Sequence, residues 1–342
     1  MLFSLREKLR YIGSMPAQIA HYILARELAD ALPNKRKKTL KNDYLFLGAQ
    51  GPDIFYHNLR TKPSGVFYGG LMHRRDWGGM TRALLEHGPD PEHDPRWYSY
   101  ILGWISHGLL DRAWHPYIIY RSGWHQPSRP ETRVWRFYHP FFERLCDVLL
   151  FEEKYGKNLW EEPFQPQMPP YQEVEGLLML PFELSLNEVY AKDDDPRLLR
   201  TRLRNTFGDA IGFFDHFNPY QWEPHGWQKF TEKGLRLIHP RILPEVDFLN
   251  TQGGPWIHPG TLVEEDSGLL ELYEQALLEA RSIVAAGGIA KDWKDPEGYL
   301  LDTSLNLTDD QGRRVGPELA DPFDLHKVML DQLEWLRGSL IH

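Results

Sequence analysis

Between Pro16 and Ala31 apolar residues fall at Ile19, Ile23, Leu24, Leu28 and Ala31, the three-to-four-residue rhythm of one helix face. Pro16 suits the first turn of that helix and Pro33 ends it. The same rhythm predicts helices over residues 69–85, 97–120, 131–154, 172–191, 196–215, 265–286 and 321–339. The helix over 69–85 starts near His73 and carries Trp77, Met80 and Leu84. Pro116 marks a break or a new first turn, and Pro140 implies a kink or a late start near His139.

Between these stretches the pattern fails in informative ways. KRKK at 35–38 reads as a solvated basic turn, and YLFLGAQGPDIFY at 44–56 as a helix end followed by a tight loop that fixes Asp53. Residues 88–95 read as a loop, 161–170 as a proline-rich linker, and 291–316 as a loop or a small hairpin. From Asn218 to Thr261 periodicity disappears while Trp, Pro, Gly and His accumulate. The expected fold is mainly α: a helical body over residues 1–216, with a C-terminal elaboration over 217–342, loop-rich then helical, packed on it.

Within the helical pattern, His107, Asp111 and His115 recur at four-residue intervals, and His139 and Glu143 repeat that interval. Four residues is just over one helical turn, so each set lines one face of its helix. Imidazoles and carboxylates on one stripe are ligand chemistry for zinc or a similar borderline metal. Left without a metal, such a set buried in a core costs several kcal/mol, as an order of magnitude, in desolvation. Ligand histidines need an acceptor on the other ring nitrogen, and Asp76 and Glu131 are eligible.

Composition narrows the class. The 342 residues are 42% hydrophobic and 13% aromatic, enough for a sizeable core. A net charge of −9 argues against a stable nucleic-acid complex over the whole surface and against adsorption to anionic membranes. No apolar run approaches the roughly eighteen residues of a membrane span. The single cysteine, Cys146, excludes an intrachain disulfide and reads as a core thiol. Charges at Arg6, Glu7, Lys8 and Arg10 interrupt the N-terminal segment before a signal-peptide core forms, so a short amphipathic helix and a cytoplasmic location are expected.

The order His21, Asp53, His73, His107, Asp111, His115, His139, Glu143 resembles the zinc-dependent phospholipase C family, which shares its fold with the S1/P1 nucleases. The resemblance runs over roughly residues 15–150 and is carried by MPAQIAH ending at His21, GAQGPD ending at Asp53, the H-x3-D spacing at 107–111, LDRAWHPY around His115, and the H-x3-E spacing at 139–143. It implies two or three zinc ions, with manganese or iron as alternatives. Asp53, His73, His107 and Asp111 match one site, and His115, His139 and Glu143 a second. His21 and Asp111 match part of a third, with Asp111 bridging two metals. Secreted relatives complete that third site with an N-terminal tryptophan, and here no Trp precedes Trp77. The third site is thus empty or completed by another group.

The resemblance implies hydrolysis of a phosphodiester in a phospholipid or a soluble headgroup ester. Asp53 is a candidate ligand, general base, or both. Alternatives are a single-strand nuclease of the S1/P1 type and a non-catalytic metal-binding protein on the same helices. Trp114 and Tyr117 beside His115, and Phe55 and Tyr56 beside Asp53, are candidate walls of a substrate pocket. Their other reading is helix-packing core. Arg121, Arg129 and Arg133 are candidate phosphate contacts or surface ion pairs. The segments 222–227 and 248–260 are candidate lids, with His225, His239 and His258 as further possible ligands.

Overall fold

The computed structural model describes residues 18–126, 128–161, 167–190, 195–216, 235, 239–291, 293, 295, 298–300, 305 and 319–338. The N-terminal segment 1–17, the linker residues 162–166, the 222–227 segment with His225, and most of 291–316 lie outside the described residues.

The chain begins with α1 (Ile19–Asp30), α2 (Asn34–Lys37) and α3 (Asn42–Ala49). A 3-10 segment, Gly51–His57, leads to α4 (Val66–Met72) and α5 (Trp77–His87). The longest helix, α6 (Pro95–Ser122), is followed by a 3-10 turn at Pro130–Val134 and by α7 (Trp135–Tyr155). Then come α8 (Tyr171–Val189) and α9 (Pro196–His216), a two-residue hairpin of β1 (Trp256–Ile257) and β2 (Glu264–Glu265), α10 (Leu269–Ala285) and α11 (Leu325–Gly338). The strands pair antiparallel, Trp256 opposite Glu265 and Ile257 opposite Glu264. Among the described residues no helix is long and apolar enough to cross a membrane.

Several elements differ from their sequence expectation for physical reasons. The basic run at 35–38 coils into the single-turn α2, with Pro33 supplying its entry geometry. The helix expected over 69–85 is two helices. Asp76 takes a left-handed φ of 55°, which breaks the run between Met72 and Trp77. Pro116 and Pro140 lie inside α6 and α7 and end neither. Each proline removes one backbone hydrogen bond, but both helices are buried along most of their length, and packing outweighs local propensity.

One hydrophobic core runs from Ile19 to Leu336. At its centre α6 packs against α1, α3, α7 and α10, while α8 packs against α5 and α9. α3 crosses α6 at close range. A Cβ at Gly103 would fall on the carbonyl oxygen of Leu45, and one at Gly48 on the carbonyl oxygen of Tyr100. The two backbones meet because both residues lack a side chain, and this brings the end of α3 against the histidine stripe of α6. The C-terminal part is tied to the same helix: the indole N–H of Trp114 donates to the carbonyl of Leu269 at 2.9 Å.

Gly103→Val forces α3 off α6 and destabilises the fold by about 3 kcal/mol, the upper end of overpacking costs. A drop of several degrees in melting temperature is expected, and an unchanged melting curve contradicts the close crossing.

Candidate metal centre

The site is assembled from five stretches of chain. α1 supplies His21, the 3-10 segment supplies Asp53, and the end of α4 supplies His73. The central helix α6 presents His107, Asp111 and His115 on one stripe, and α7 presents His139 and Glu143. The turn into the 3-10 segment passes over the ring of His107 through Gly51, whose φ of 50° and missing Cβ are both required there.

These eight side chains face one another. Asp111 lies in the middle. Its Oδ1 is 3.3 Å from Nε2 of His21 and 3.3 Å from Nε2 of His115. Its Oδ2 is 3.2 Å from Nε2 of His107 and 3.5 Å from Nε2 of His73. Asp53 faces His73 at 2.9 Å and His107 at 3.6 Å. Glu143 places Oε1 3.1 Å from Nε2 of both His115 and His139. Three groups of potential ligand atoms result, each spanning no more than 4.8 Å: His21, His107 and Asp111; Asp53, His73 and His107; His115, His139 and Glu143. Seven of the eight side chains are at most 4% exposed, and His139 is the outlier at 12%.

The outer ring nitrogens fix which nitrogen points inward. Nδ1 of His73 donates to the carbonyl of Gly69 at 2.8 Å, that of His107 to Ala49 at 3.0 Å, and that of His115 to Leu305 at 2.6 Å. A ring whose Nδ1 carries its proton turns an Nε2 lone pair inward when neutral. Lone pairs facing carboxylate oxygens repel unless a proton or a cation lies between them. The mismatch shows in the hydrogen bonding. Both oxygens of Asp53, Oδ2 of Asp111, Oε2 of Glu143 and Nε2 of His107 are buried without a hydrogen bond. All are donor atoms that zinc accepts, and the residues present therefore fit a metal of that type.

The protonation pattern reports the same conflict. Burial, with the charges of Asp111 and Glu143 adding to it, pushes the carboxyl of Asp53 well above the usual carboxylate range. Burial also works against an ionised Asp111, but His115 and His107 overcome it and hold that carboxyl well below the usual range. For His115, burial is outweighed by Asp111 and Glu143, and its imidazolium persists up to about 9. Glu143 is buried too, yet His139 and His115 bring it down to about 2. Metal-free, the cluster balances its charge by holding extra protons.

The supports differ from those expected. The ring nitrogens of His73, His107 and His115 are held by backbone carbonyls, not by the half-buried Asp76 or the exposed Glu131. Leu305 joins two groups by itself, since its N–H donates to the carbonyl of His73 at 2.8 Å while its own carbonyl accepts from His115. Nothing in the sequence around Leu305 signals this.

Of the aromatic candidates, Tyr56 sets its hydroxyl 3.3 Å from Nδ1 of His73. The other three are core residues. Phe55 packs against Tyr68 and Phe182, Trp114 against Tyr273, and Tyr117 against Phe142 and Trp256. The aromatic residue beside the more exposed His139 is Trp124, which meets that ring edge-on at 6.3 Å. Arg121 pairs with Asp321 at 2.5 Å. His258 accepts the backbone N–H groups of Gly260 and Thr261 within the hairpin, and buried His239 pairs with Asp147. Cys146 is fully buried, and burial pushes its thiol up.

A mainly helical body with three buried His/carboxylate groups around one aspartate defines a candidate multinuclear metal protein. Residues 20–173, which include all eight of these side chains, match the family model for zinc dependent phospholipase C. Likeness to that family over this segment implies a metal-dependent hydrolase of the phospholipase C type. Comparisons with curated proteins and with solved structures give no match.

Asp111→Asn and His107→Ala each lower zinc content and thermal stability together, because a cation held only by the folded chain stabilises it. Unchanged zinc per chain by elemental analysis in both variants removes these residues from the site. Zinc binding near pH 7 also displaces the extra protons. Calorimetry in buffers of different ionisation enthalpy is expected to show release of about one proton or more per chain, and binding without proton release contradicts the protonation pattern.

Proposed function

We propose that the protein hydrolyses phosphodiesters in the manner of a phospholipase C, acting on a phospholipid or a soluble headgroup ester. The observation that supports this most is Asp111, whose two carboxylate oxygens face different ligand groups. A carboxylate shared in this way suits cations held close together, the arrangement used for in-line attack on a phosphorus centre. When bound, divalent ions supply a water acidic enough to attack at neutral pH and positive charge for the phosphoryl oxygens.

The remaining roles fall to the chain's own residues. His73 and His107 with Asp53, His21 with Asp111, and His115 and His139 with Glu143 would hold the ions. Asp53 has both oxygens buried and free of hydrogen bonds, which leaves one for a ligand role and one to take a proton from the attacking water. The carbonyls of Gly69, Ala49 and Leu305 keep three imidazoles from rotating as charge develops. We assign the substrate entrance to the side of His139, the most exposed of the eight, with Trp124 as its aromatic wall.

The test is a panel of zinc-loaded protein with bis-p-nitrophenyl phosphate, p-nitrophenylphosphorylcholine and single-stranded DNA. Turnover of the two nitrophenyl esters is expected, abolished by chelation, with Asp53→Asn reducing kcat by about 100-fold or more, the scale of a lost proton acceptor. Preference for DNA would make the protein a nuclease. No turnover at full metal occupancy would make it a binding protein.

A further inference from the structure

The helix that carries His21 does not encode its own beginning. Gln18 stands at the N-cap of α1 and provides no side-chain cap, and no acidic residue lies in the first turn. Exposed backbone N–H groups at a buried helix start must find acceptors elsewhere. They find them on α7. Asp147 Oδ2 accepts from the backbone N–H of Gln18 at 2.9 Å, and Oδ1 accepts from Ile19 at 3.2 Å and from Ala20 at 2.7 Å. His239 Nε2 donates to Oδ2 at 2.8 Å. Asp147 and His239 are both fully buried.

Asp147 follows Glu143 by four residues, so His139, Glu143 and Asp147 form one stripe on α7. The same helix face thus presents one ligand group and, a turn further on, grips the helix bearing a ligand of another. His21 is the next residue after the three capped amides. Its Nε2 meets Asp111 at 3.3 Å, and its ring stacks on His107 with centroids 4.1 Å apart. Successive helix positions differ by about 100° around the axis, so a start shifted by one residue swings His21 away from Asp111.

We propose that Asp147 is a positioning residue for the His21 group: it sets where α1 begins, and thereby holds His21 against Asp111. His239 supports it by holding Oδ2 in place. The proposal rests on the metal-centre reading above. It also assigns a task to a buried carboxylate that is outside all three ligand groups.

The experiment is a cobalt(II) titration of the full chain, followed by ligand-field absorption and by metal per chain, for wild type, His21→Ala, Asp147→Ala and Asp147→Asn. Asp147→Ala is expected to weaken by about 10- to 100-fold the same binding step that His21→Ala removes, while the other steps and their spectra stay as in wild type. Asp147→Asn keeps one acceptor oxygen for the Ile19 and Ala20 amides, so it is expected to fall between wild type and alanine, and it serves if the alanine variant does not fold. Wild-type binding in every step by both Asp147 variants overturns the proposal, as does uniform weakening of all steps, which marks a merely structural role. Loss of no step in His21→Ala overturns it too. A wild-type chain that binds no cobalt refutes the metal-centre reading itself, a result distinct from the others.

Discussion

Four imidazole nitrogens surround the carboxylate of Asp111 at 3.2–3.5 Å, two on each oxygen. The architecture of the rest of the site follows from that crowding. A single buried carboxylate cannot hydrogen-bond productively to four rings, three of which have their outer nitrogens already tied to carbonyls, and the desolvation of so many ionisable groups opposes folding. Cations held by these residues would turn the repulsion into attraction. The proton-rich state of the metal-free cluster, with Asp53 and His115 both shifted up, is how the chain tolerates the same geometry otherwise.

The scaffold keeps this arrangement by tight backbone approaches and not by side-chain bulk. Gly103 and Gly48 let α3 close on α6, which delivers the carbonyl of Ala49 to His107 and then turns the chain through Gly51 to Asp53. The C-terminal part enters the same construction. Leu305 clamps His73 and His115, Leu269 accepts from Trp114, and His239 steadies Asp147. These contacts lie beyond residue 173, where the family match ends. The region downstream of the match therefore takes part in holding the centre.

The helices were legible because their apolar faces repeat, and the ligand stripes because four-residue spacing is the spacing of one helix face. The H-x3-D and H-x3-E patterns carried both chemistry and geometry in a few residues. The break at Asp76 was hidden, since a left-handed aspartate looks no different from a helical one in sequence. The prolines misled in the other direction, because burial of α6 and α7 overrides the local rule. Aromatic residues beside ligand residues suggested a pocket, but proximity along a helix does not say which face is turned inward, and Phe55, Trp114 and Tyr117 face the core. Backbone acceptors such as Gly69, Ala49 and Leu305 leave no mark on residue identity. Asp147 was within reach: it continues the stripe of His139 and Glu143 by one more turn.

Anomalous diffraction at the zinc edge from crystals of the metal-loaded protein reads the centre most directly. Peaks are expected inside the three ligand groups, with Asp111 reaching more than one of them. Density that leaves the eight side chains metal-free in ample zinc, or that places zinc only at exposed surface residues, would contradict it.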